Sequence, residues 1–92
     1  MAMNWSPRLK VLFDSDADVL YISRGEPVSS HVDELENGIL LRRANSDGST
    51  SGITALDFRE HWHFRKSDFY SLVADHLRVP TSVAEREIER LI

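Results

Sequence analysis

The sequence predicts an α+β fold: an antiparallel β-meander of four or five strands followed by two C-terminal α-helices packed on the sheet. Three observations predict it. Apolar and polar residues alternate through residues 9–58, turn-forming residues punctuate that stretch at short intervals, and from Ser67 the apolar period changes from two to 3.6. The 92 residues are read as one domain, with the meander at 9–58, a linker at 59–66 and a helical tail at 67–92.

Leu9, Val11 and Phe13 alternate with polar neighbours and give the first strand. Residues 14–18 follow as an acidic turn, because short aspartate and serine side chains hydrogen-bond the local backbone and cap a reversal. Val19 to Ser23 is a β-prone second strand. Gly25 and Pro27 break it, since glycine accepts positive φ and proline has no amide donor. Val28, Ser30 and Val32 share one face of a third strand, with Ser29, His31 and Asp33 on the other. Asn37-Gly38 tolerates the left-handed geometry of a tight hairpin and leads into a fourth strand at 39–44. The polar stretch 45–51 reads as a loop, and 52–58 as a fifth strand.

Residues 59–66 set Trp62 and Phe64 among charged groups and read as an irregular linker that tucks aromatic rings against the sheet. Phe69, Leu72, Val73, His76 and Leu77 then mark one face of a helix. Ser67 is its expected N-cap, and Pro80 stops it near Arg78 by disfavouring helical geometry at Val79. Ser82 and Glu85 have the spacing of a capping box, and Ala84, Ile88 and Leu91 give the second helix its apolar stripe.

Composition narrows the function classes. Apolar residues are 41% and charged residues 28%, ordinary globular usage. No apolar run approaches the roughly 20 residues of a transmembrane helix, so no membrane association is expected. The N-terminal residues lack a secretory signal's apolar segment, and the expected location is cytoplasmic. The absence of cysteine excludes disulfides, thiolate metal sites and thiol nucleophiles. The net charge of −4 lies wholly in residues 1–60, which carry six basic and ten acidic side chains against five of each in 61–92. Basic residues adjoin only at Arg42-Arg43 and Arg65-Lys66, so nucleic acid is not an expected partner.

The chemistry-bearing constellations are sparse. Asp14, Asp16 and Asp18 have the alternating carboxylates that open a calcium loop, but Val19 stands where that loop needs glycine and Gly25 where it needs a bidentate glutamate. His61 and His63 point to the same side if the segment is extended, and with Asp57 they are the candidate ligands of a metal-dependent hydrolase. A metal site also needs further ligands and groups that orient the imidazoles, for which His31 is the remaining candidate. His76 lies on an apolar helix face and reads as a packed histidine. The four glycines are dispersed at 25, 38, 48 and 52, so no phosphate-cradling loop forms in sequence, and no nucleophile-elbow motif is present. No catalytic residue, cofactor or metal is assigned.

The acidic turn running into Val19-Leu20-Tyr21-Ile22, then Glu36-Asn37-Gly38-Ile39, then Asp47-Gly48, and Gly52-Ile53 with Leu56-Asp57 resemble, in order and spacing, the domain of unknown function 2283 family of small bacterial proteins. The resemblance covers residues 9–58. It implies a small antiparallel sheet and carries no established activity or catalytic residues. It also implies, as an association, an antitoxin-like or accessory subunit that binds a small basic partner protein, for which Glu85, Glu87 and Glu89 are the candidate contacts. Ala55 departs from the family's larger aliphatic residue, and Phe58 is the expected filler.

Strands two and four are apolar on both faces: Leu20 and Ile22 oppose Val19 and Tyr21, and Ile39 and Leu41 oppose Leu40. A sheet covered by helices on one side leaves the other wet and should then be polar there. A homodimer that covers the second face is the preferred expectation, with Val19, Tyr21 and Leu40 as self-association residues. The alternative is that Trp62 and Phe64 cover that face within the chain. The first functional expectation is a non-enzymatic protein-interaction module.

Overall fold

The computed structural model describes residues 9–25 and 28–92. Five strands, β1 (Leu9–Asp14), β2 (Val19–Arg24), β3 (Ser30–Glu34), β4 (Ile39–Ala44) and β5 (Thr50–Ala55), form one antiparallel sheet. Three helices follow, α1 (Phe58–Trp62), α2 (Lys66–Leu77) and α3 (Thr81–Glu89). The α+β class and the helices packed on an antiparallel sheet are as expected.

The strand order is β1-β2-β5-β4-β3, which departs from a simple meander. The chain leaves β2, reaches the far edge as β3, and returns through β4 so that β5 closes against β2. The central strand is therefore the last one, and its small residues suit that place. An ideal Cβ on Gly52 would lie 3.0 Å from the Ile22 carbonyl oxygen, so its backbone packs closely on β2. The register slips opposite Arg42 and Arg43, where β5 carries one extra residue, Ser51, between their partners Gly52 and Thr50.

One sheet face carries the core. Leu20, Ile22, Ile39, Leu41, Ile53 and Ala55 lie beneath Phe69, Val73 and Leu77 of α2, with Leu9, Val11 and Phe13 of β1 half-buried at the margin. Ala84 and Ile88 hold α3 to α2 and β1. Each fully buried aliphatic or aromatic side chain contributes about 1.5–3 kcal/mol relative to exposure. Phe58 sits edge-on to Phe13 at 6.0 Å and to Phe69 at 5.0 Å, and Trp62 lies 5.3 Å from Phe69.

Several local expectations are corrected. The segment 59–66 is not an irregular linker throughout: α1 occupies its first half and brings Phe58 and Trp62 into the core, so there are three helices instead of two. Helix α2 starts one residue before Ser67 with Arg65 at its N-cap, and no side chain caps it. Ser82 lies inside α3 rather than capping it, because Pro80 at φ −60°, ψ 144° is the last extended residue and the helix begins at Thr81. Leu91 stays largely exposed. The stop near Arg78 is observed: Arg78 adopts the left-handed conformation at φ 56° and its N–H donates to the Ala74 carbonyl.

Candidate functional site

The sheet face away from the helices is where the unusual chemistry lies. Strand register sets its rows. Leu12 pairs with Tyr21, Tyr21 with Thr54, Thr54 with Leu40, and Leu40 with Glu34, which gives one row across all five strands. Leu12 is 69% exposed, Tyr21 43% and Val32, one row away, 60%. Leu40 is half-buried. No described element lies over this face. Trp62 is on the helix side with Phe69, and Phe64 is 95% exposed, so neither aromatic covers the second face within the chain. Val19 belongs to the same face by alternation but is only 9% exposed, so Tyr21 and Leu40 keep more surface than Val19.

The next row reads Lys10, Ser23, Gly52, Arg42, Val32. Arg42 lies back over the sheet: its Nη1 is 3.5 Å from where a Cβ on Gly52 would stand. That distance is ordinary van der Waals contact, so the tight constraint on Gly52 is the Ile22 carbonyl oxygen at 3.0 Å. At this end of the sheet a basin of about 120 Å³ is lined by Lys10, Ser23, Arg24, Arg42 and Ser51, and by Gly25 and Val28. A larger cleft of about 700 Å³ shares Arg24, Gly25, Val28 and Ser51 and extends to Asp47, His76 and Arg78. Arg24 is partly committed, since its Nη1 donates to the Leu77 carbonyl and, at 3.4 Å, to the Arg78 carbonyl, which satisfies the exposed end of α2. In the cleft, hydrogen bonds from the Ser49 amide and hydroxyl at 2.9 and 2.7 Å hold the Asp47 carboxyl below its ordinary pKa.

The acidic turn is engaged by its own protein. Asp14 Oδ1 accepts the Asp16 and Ala17 amides, each at 3.1 Å. Asp18, at φ 58°, accepts the Arg59 amide at 3.1 Å and Arg59 Nε at 2.9 Å, and Arg59 Nη2 reaches the Ser15 carbonyl at 2.6 Å. Two of the three carboxylates of the calcium reading are thus occupied by amides and a guanidinium.

The imidazoles do not converge. His61 lies within α1 and His63 is its helical C-cap, and side chains two residues apart on a helix project about 200° apart. The same-side geometry of an extended segment is therefore not formed. His63 stacks edge-on to Phe64 at 4.7 Å, and His31 Nδ1 lies 2.8 Å from Asn45 Oδ1. Asp57 is the α1 N-cap at φ 51°, with no side-chain capping bond. Among the described residues no three metal-capable side chains gather. The acidic set on α3 is dispersed too: Glu87 pairs with Arg90 at 3.0 Å, and Glu89 accepts the Tyr70 hydroxyl at 3.0 Å.

The basic row was not visible in the linear sequence, where only Arg42-Arg43 and Arg65-Lys66 adjoin. Strand pairing brings Lys10 and Arg42 into one row although 32 positions separate them. A usable signal is the parity of each cation within its strand, once the strand order is known. Set against models of known families, curated proteins and solved structures, the chain matches none of them.

Proposed function

We propose that the protein is a non-enzymatic interaction module that self-associates through the open face of its sheet. The observation that carries this reading is the row Leu12, Tyr21, Thr54, Leu40, with Val32 beside it, left uncovered by every described element. Antiparallel sheets with a wet face normally alternate to polar residues there. Contiguous exposed apolar surface marks an interaction site.

A second copy is the occupant we favour. The rim of the patch is balanced: Lys10 and Asp14 flank it on β1, and Arg42 and Glu34 on the opposite side. A face with equal numbers of both signs meets its own copy without net repulsion, whereas a strongly basic partner gains little from it. The area agrees with a modest dimer. Five strands about 4.8 Å apart and six residues of about 3.3 Å each make a face of roughly 24 by 20 Å, or about 1,000 Å² over two copies. That is the lower limit of specific interfaces, the size class of weak, reversible association. The reading takes the protein as bacterial and cytoplasmic, in keeping with the family resemblance of residues 9–58.

Light scattering on size-exclusion fractions tests it through Tyr21→Lys and Leu40→Lys. Both variants are expected to elute as monomers at concentrations where the unsubstituted chain is dimeric. Equal masses for all three proteins would remove the open face as the interface.

A further inference from the structure

We infer that the basic row at the end of the open face is a binding site for a phosphate dianion, free or as the head of a small phosphomonoester. Lys10, Ser23, Gly52 and Arg42 lie side by side on β1, β2, β5 and β4, so a cation stands at each end, with a hydroxyl and a bare backbone between. Their outer Cα atoms are three strand spacings apart, about 14 Å. Arg42 already closes part of that gap by lying over Gly52. Lysine can cover most of the remainder, which leaves an anion-sized space above Ser23.

The basin at that point holds about 120 Å³. A space of that size admits a tetrahedral oxyanion together with bridging water. Ser23 adds a hydroxyl donor, whereas the Ser51 hydroxyl already donates to the Arg42 carbonyl at 3.2 Å. Among the described residues no carboxylate lines the basin, and neither Lys10, Arg24 nor Arg42 is in an ion pair. Among the described residues, Lys10 and Arg42 thus line the basin without an ion-pair partner. Arg24, held by the end of α2, supplies a fixed background charge rather than a direct ligand.

The organic part of a phosphomonoester has a place to go. The larger cleft shares Arg24 and Ser51 with the basin and is lined by Ser46 and Thr50, with the Asp47 carboxylate held by the Ser49 amide and hydroxyl. The basin stands at the strand ends, at the rim of the apolar row, and interface rims stay solvated.

The test is a calorimetric or NMR titration of the full chain at constant ionic strength, with inorganic phosphate in one arm and ribose 5-phosphate in the other. Saturable binding is expected. Lys10→Gln and Arg42→Gln should each weaken it about tenfold, the factor carried by one charge-assisted hydrogen bond. Lys10→Arg should retain it, and Arg90→Gln, beside Leu9 and Val11 on the helix side of the sheet, should leave it unchanged. Equal affinity in the two arms identifies the free anion as ligand, and tighter ribose 5-phosphate binding identifies the phosphomonoester. A response that does not saturate, or that falls as much in Arg90→Gln as in Lys10→Gln, overturns the site. The substituted side chains are at the surface, and unchanged amide spectra away from β1 and β4 verify folding.

Discussion

The Asp18 carboxylate accepts both the backbone N–H and the Nε of Arg59, 41 residues away, and so caps a helix from a different hairpin. The nominal N-cap, Asp57, makes no such bond. This pair ties the β1–β2 turn to α1, and α1 in turn delivers Phe58 and Trp62 to the core. Asp18→Ala is expected to cost about 1–2 kcal/mol, since it removes a cap and places alanine in a left-handed conformation. Denaturant unfolding of Asp18→Ala, Arg59→Ala and the double variant checks it. The two losses should be sub-additive, because the side chains share one interaction.

Gly38 is fixed by its surroundings. Its φ is 75°, and an added Cβ would stand 2.5 Å from the Leu56 carbonyl oxygen, which is backbone and cannot turn aside. Gly38→Ala should destabilise by about 2–4 kcal/mol through strain and displacement of the β5 end. Gly48, at φ 75° with open space around it, should tolerate alanine at about 1 kcal/mol. Thermal unfolding of the two variants compares them directly.

Arg78 offers the opposite case. It ends α2 in the left-handed conformation that glycine adopts without steric penalty. Arg78→Gly should raise stability by up to about 1 kcal/mol, read as a higher denaturant midpoint with unchanged slope.

Burial and the neighbouring Glu89 and Glu85 carboxylates push the Tyr70 hydroxyl well above its ordinary pKa. The folded state therefore holds the proton more tightly than the unfolded chain. The corresponding stability is complete below the unfolded value near 10 and is lost as pH rises beyond it. Unfolding followed between pH 8 and 11 should show a decline above pH 10 that Tyr70→Phe reduces. At pH 7 the same substitution should cost about 0.5–1.5 kcal/mol for the lost bond to Glu89.

The strands were legible because alternation and turn residues are local signals. The spans of β1, β2 and β4 lie within a residue of those read from the sequence. The strand order was not legible, because Gly25 and Pro27 mark a break without saying which edge the chain reaches next. Helix α1 has five residues, too few for a 3.6 period, and its first turn is capped by Asp18 from the sheet. Tyr70 escaped the predicted face of α2 because that helix is covered by the sheet on one side and by α3 on another. The open face was half legible: Tyr21 and Leu40 stood out by the apolar runs around them, whereas Leu12 and Val32 look like ordinary members of alternating strands.

The central claim is that the uncovered row on the sheet joins two copies. Sedimentation equilibrium between about 1 and 100 µM tests it most directly. The account predicts a reversible rise from one to two chain masses across that range, abolished by Leu12→Glu with Tyr21→Glu. A single chain mass at every concentration would contradict it.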